Sequence, residues 1–135
     1  MPGQIILVIF AALLVHGIGH GAAIGTLALR RYSPGTKTGG WLPARSWLFP
    51  SLSQSAATTA ACFFWIVSLL GFVLVAFSFW GNLLPGEVWR PLAIVSAVVS
   101  GIGIVSFFKT WPMFNTFAAL GMNVVAVLVA LMWPM

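Results

Sequence analysis

With 135 residues, 61% of them hydrophobic and 5% charged, and a mean hydropathy of +1.08, the chain has too few charges to clothe a water-soluble surface; soluble domains carry about a quarter charged residues. Its formal net charge of +5 comes from six basic residues set around long apolar runs and one acid, a distribution that reports orientation in a bilayer rather than nucleic-acid binding. A single cysteine, Cys62, leaves neither an intrachain disulfide nor a CxxC redox pair.

The pattern predicts an all-α integral membrane protein: one domain over residues 1–135, a four-helix bundle with spans at about 4–29, 55–80, 91–108 and 115–133. Roughly 17–25 apolar residues suffice to cross hydrocarbon, and no alternating ten-residue pattern suggests a barrel, so helices satisfy the backbone. The first run has no basic residue before it and exceeds the length of a signal-peptide core, so it reads as a span.

Helix one contains Val15-His16-Gly17-Ile18-Gly19-His20-Gly21, with the only two histidines of the chain near the middle of the run. His20 lies one turn beyond His16, about 6 Å along the axis, on the same face. Titratable groups at that depth are costly in hydrocarbon and face a protein interior, a water-filled cavity or a ligand. The same helix carries Gly17, Gly21 and Gly25 at four-residue spacing, a stripe that admits a neighbouring helix at close range.

Between the first two spans lie Arg30, Arg31, Lys37 and Arg45. Tyr32, Trp41, Trp47 and Phe49 are suited to the headgroup layer. Pro34, Gly35, Gly39, Gly40, Pro43 and Pro50 break regular helix. This connector is expected along the interface, with a short surface helix around 44–49. Ser51-Leu52-Ser53-Gln54 reads as a capping box opening helix two, Ser51 at the N-cap and Gln54 three residues on.

Helix two offers Thr58, Ala61, Cys62, Trp65 and Ser68 as its packing face. Arg90 and the only acid, Glu87, fall in the second connector, 81–90. Helix three has a small-residue stripe of Ser96, Ser100, Gly103 and Ser106, and helix four has Ala119, Asn123, Ala126 and Ala130. Lys109 lies in the third connector. Connectors one and three share a side and hold five cations against one, so the positive-inside bias makes them cytoplasmic and both termini extracytoplasmic.

Three readings of the histidines compete. Each ring can hydrogen-bond a neighbouring helix through a carbonyl, Asn123, Thr58, Thr59 or Ser100, at about 0.6–2 kcal/mol per bond. His16 and His20 can instead be cofactor-binding, one of them an axial ligand to a tetrapyrrole of haem or chlorophyll type, with Ala12, Gly17, Gly19 and Gly21 making room. Bis-histidine ligation would then need a ring from another chain. The third reading, a shared metal ion, is poorly supplied with further ligands, since Cys62, Met122 and Asn123 are weak or distant. No catalytic set is assembled: the chain has no aspartate, and Glu87 is expected in a short outer connector.

Val15-His16-Gly17-Ile18-Gly19 resembles, over those few residues, the first helix of DoxX-like four-helix proteins. The chain's size resembles that of fluoride-channel subunits, whose Thr/Phe-rich helix-three signature it lacks. Neither resemblance transfers functional residues. The expected role is an accessory or assembly subunit of a larger membrane complex, of an energy-transducing kind, in contact with lipid and other membrane subunits. The alternative is a self-contained binder of a cofactor or small molecule centred on His16 and His20.

Overall fold

A computed structural model describes residues 2–33, 35–80 and 83–133. Pro34, the start of the second connector at residues 81–82, and the terminal residues 1, 134 and 135 lie outside them. The described residues form four helices, α1 (Pro2–Tyr32), α2 (Gln54–Phe79), α3 (Gly86–Ser106) and α4 (Met113–Met132). All four are long and apolar enough to cross a membrane. The protein is an all-α, multi-pass four-helix bundle in which α1 packs on α2, α2 on α3 and α3 on α4, while α1 and α4 meet only along a narrow seam.

Two helix starts differ from the sequence expectation. Ser53, not Ser51, caps α2: its hydroxyl accepts from Ala56 N at 3.2 Å. Ser51 is spent in the preceding turn, closed by Leu52 N donating to Phe49 O at 3.1 Å. The Gln54 amide, expected to reach back to the cap, donates instead to Ala44 O at 2.8 Å and so ties the connector to α2. Helix α3 begins at Gly86, earlier than the apolar run, so Glu87 and Arg90 are helical and Pro91 lies within the helix. Glu87 in the first turn complements the positive helix end, and Arg90 donates to the Trp133 carbonyl at the far end of α4.

The long connector holds no helix at 44–49. It folds over one end of the bundle, with Ala44 and Ser46 buried. Leu42 N donates to Thr110 O at 2.9 Å, and Trp47 Nε1 donates to Val105 O at 2.6 Å, so the backbone polar groups of this stretch are drawn to the α3–α4 corner. The Thr38–Trp41 turn, closed at 3.1 Å, puts Gly39 and Gly40 at φ +56° and +88°, which favours glycine at both central positions. Trp47 and Phe49 remain exposed, and Trp41 leans on Trp111 with ring centroids 5.2 Å apart.

The interior has two apolar clusters. At the connector end Ala23, Leu27, Ala44, Ala57, Ala61, Trp65, Ile104, Phe107, Trp111 and Ala119 pack together. At the other end Leu13, Phe72, Val75, Ala76, Trp89, Ala93, Ala97, Ala126 and Ala130 do so. Along α1, α3 and α4 the stretches between them hold His16, His20, Ser100 and Asn123, a polar layer at mid-bundle.

A closed polar layer as the candidate functional site

Three helices supply the polar layer, and each presents its member on the buried face. His16 and His20 of α1 are 8% and 0% exposed, Ser100 of α3 is 0% and Asn123 of α4 is 6%. His16 Nε2 bonds Asn123 Oδ1 at 2.7 Å. Asn123 Nδ2 donates to Ser100 Oγ at 2.9 Å, and Ser100 Oγ meets His20 Nε2 at 2.9 Å. With the Asn123 amide in this orientation, His16 Nε2–H donates to the amide oxygen and the amide nitrogen donates to the hydroxyl. The Ser100–His20 bond forms with either imidazole tautomer, the hydroxyl donating to Nε2 or accepting from it.

Asn123 and Ser100 are two of the ring partners anticipated from the sequence. Thr58 and Thr59 do not join them: Thr58 Oγ1 donates to Gln54 O at 2.8 Å, and Thr59 is exposed. The rings are walled in by aromatics. Phe72 stands edge-on to His16 at 4.4 Å between centroids and lies parallel to His20 at 6.2 Å. Trp111 stands edge-on to His20 at 5.2 Å.

The small residues expected to mediate packing divide in their surroundings. A Cβ on Gly17 would lie 3.2 Å from Phe72 Cβ and 3.3 Å from Leu69 O, so α1 and α2 approach there at backbone range. At Gly21 the nearest atom would be Leu69 Cδ2 at 3.6 Å, and at Gly25 nothing lies within 4 Å. Ser96, Ser100, Gly103 and Ser106 are all buried. Gly103 fits under Phe64, where a Cβ would come within 2.6 Å of Phe64 Cβ, and Ser96 fits over Gly71, where a Cβ would come within 3.0 Å of Ser96 Cβ. Gly71 is absent from the face read for helix two, which stopped one turn short of it.

This geometry suits interhelical ties better than an axial position on a macrocycle. Both Nε2 atoms are taken by hydrogen bonds, the ring faces meet Phe72 and Trp111, and Gly17 is filled by α2. The two imidazole centroids are 5.1 Å apart, but among the described residues no third His, Cys, Asp or Glu side chain joins them to form a metal-holding group.

Next to the layer, toward the connector, four buried polar atoms have no partner among the described residues: His20 Nδ1, Trp65 Nε1, Trp111 Nε1 and Thr110 Oγ1. Trp65 and Trp111 are edge to face at 5.7 Å, so the two indoles belong to one contiguous aromatic cluster with His20. An indole N–H only donates. The cluster therefore holds two unpartnered indole donors, a feature that the sequence spacing of Trp65 and Trp111 does not reveal.

Comparison of the chain with protein-family models, with curated proteins and with solved structures yields no match. The fold and the site define a multi-pass membrane bundle whose mid-bundle His16, His20, Ser100 and Asn123 are tied to one another.

Proposed function

We propose that the protein is an accessory or assembly subunit of a larger membrane complex, with the His16–Asn123–Ser100–His20 chain serving to fix α1 against α3 and α4. The observation that carries this reading is the outward face of α1. Ala11, Val15, Ile18, Ala22, Gly25 and Leu29 are all exposed, and they fall within one stripe at helical spacing. Gly25 has open space where a Cβ would be. Ala11, Ala22 and Gly25 leave low points between the larger Val15, Ile18 and Leu29 on a face that finds no helix within its own chain, and such a face suits a helix from another chain, because close packing drives association in lipid.

The cation distribution supports an orientation for this subunit. Arg30, Arg31, Lys37, Arg45 and Lys109 lie at the connector end of the bundle, and Arg90 at the other. The positive-inside bias then makes the connector end cytoplasmic and the termini extracytoplasmic.

A second reading, a self-contained binder of a small hydrogen-bond acceptor, draws its support from the unpartnered donors around His20, Trp65 and Trp111. Burying such groups unpaired costs about 1–3 kcal/mol each.

One experiment separates the two. The tagged chain is extracted from its native membranes in mild detergent, sized by native electrophoresis, and its co-purifying proteins and small molecules are identified by mass spectrometry. The subunit reading expects different chains in a particle well above the 14.4 kDa of this chain, and expects Gly25→Leu to release the chain from them while it stays folded. A wild-type chain that migrates alone, or a Gly25→Leu variant that keeps its partners, would overturn it. A stoichiometric small molecule on the isolated chain, lost in His20→Leu, would establish the binder instead.

A further inference from the structure

The connector end of the bundle has a cavity of about 520 Å³ between the last turns of α1, the connector and the first turns of α2. Leu27, Arg30 and Arg31 line it from α1, Pro43 from the connector, and Ser55 and Thr58 from α2. Its charge is unbalanced. The only acidic side chain, Glu87, is in the first turn of α3 at the opposite end of the bundle. Arg30 is held in place by Nε donating to Thr38 Oγ1 at 3.0 Å, a bond that does not use its terminal nitrogens.

Helix α2 adds to the same field. Its first-turn N–H groups have no acceptor within the helix, and its N-terminal end carries partial positive charge. Ser53 takes Ala56 N through its hydroxyl and Ala57 N through its carbonyl, which leaves the N–H groups of Gln54 and Ser55 without a partner in the helix. Arg30, Arg31 and Ser55 thus line one pocket at the N-terminal end of α2, and between them carry a set of donors that fits the tetrahedral oxygens of a phosphate.

Location decides between a soluble phosphate and a lipid one. Leu27 and Pro43 give the pocket an apolar wall that a small hydrophilic anion would not use. Exposed Tyr32 and Trp47 lie on the flanking segments, in keeping with headgroup depth. A lipid phosphate reaches this level from the side, with its acyl chains against α1 and α2.

We propose that this cavity binds the phosphate of an anionic phospholipid, independently of the subunit reading. The test uses the full chain purified in detergent and titrated with phosphatidylglycerol or phosphatidylcholine, with bound lipid counted by native mass spectrometry. Wild type is expected to hold one phosphatidylglycerol in preference to phosphatidylcholine. At about fivefold per cation, Arg30→Gln/Arg31→Gln should weaken that binding about 25-fold. Arg31→Gln alone, which leaves the Arg30–Thr38 tie in place, should weaken it about fivefold on the same basis. Lys37→Gln/Arg45→Gln removes equal charge from outside the cavity lining and should weaken binding several-fold less than the Arg30/Arg31 pair does. Equal losses in the two double variants, or no preference for phosphatidylglycerol in wild type, would overturn the site. Displacement of the lipid by equimolar inorganic phosphate would overturn the lipid assignment and leave a soluble phosphate as the ligand.

Discussion

Gly71→Ala is the sharpest probe of how the bundle closes. The added Cβ would stand 2.2 Å from Ser96 Oγ and 3.0 Å from Ser96 Cβ. Rotating Ser96 about χ1 removes the first clash but not the second, because Cβ is fixed to the backbone. Carbon atoms are at their optimum at about 3.5–4.0 Å, so α2 and α3 must separate by roughly 0.5–1 Å or tilt. Overpacking of this kind costs about 1–3 kcal/mol, against a gain of about 1 kcal/mol from replacing glycine inside a helix.

Gly121→Ala isolates the two terms. Gly121 is a mid-helix position of α4 with nothing within 4 Å of a Cβ, so it reports the propensity gain alone. Gly71→Ala is expected to fall below Gly121→Ala by about 1–3 kcal/mol, the overpacking term alone. The measurement is unfolding by dodecyl sulfate titrated into a fixed mild micelle, followed by far-ultraviolet circular dichroism. Adding Ser96→Gly to Gly71→Ala removes the opposing Cβ and should restore most of the loss, with a coupling of about 1–3 kcal/mol between contacting positions. A Gly71→Ala variant as stable as Gly121→Ala, with coupling below about 0.5 kcal/mol, would refute a close α2–α3 approach at this point.

Two further outcomes follow from the polar layer and from the charge distribution. Asn123→Leu strips both His16 and Ser100 of a partner and should destabilise the bundle by about 1–3 kcal/mol, whereas His16→Leu/Asn123→Leu should cost less than the sum of its parts because both ends of the tie are replaced by apolar groups; the same sulfate titration reads both, and strict additivity would show that the two side chains do not meet. Single cysteines at Gly3 and Thr38, in a chain with Cys62 replaced, should react with a membrane-impermeant thiol reagent at Gly3 only in intact cells, and the opposite pattern would invert the orientation.

The helices were legible because a bilayer leaves the backbone so few choices: an uninterrupted apolar run can meet its own hydrogen bonds only as a helix. The polar layer was half legible for a related reason. A histidine or an asparagine in such a run must turn inward, so His16, His20 and Asn123 marked buried faces on α1 and α4, and the serine of helix three lay on the face its small neighbours defined. The order of linkage was not readable. Whether His16 reaches Asn123 or Ser100 depends on vertical offset between helices, and that offset is set by contacts such as Gly71 on Ser96 and Gly103 under Phe64, which are volume matches across long sequence separations.

The ends of the elements were the least legible, because at a helix terminus several weak hydrogen bonds compete within about 1 kcal/mol of one another. Ser51 and Ser53 are chemically equivalent caps; Ser53 takes the helix start, and the Gln54 amide donates to Ala44 O instead of reaching back to it. That bond is one of those that hold the connector on the bundle, with Ala44 buried and Pro43 beside the arginines that end α1. The cavity beside Arg30 and Arg31 thus depends on this tie, together with those from Leu42 to Thr110 O and from Trp47 to Val105 O. A Gln54→Leu chain should keep its four helices and lose the pocket, so the anionic-lipid site and the position of the connector stand or fall together.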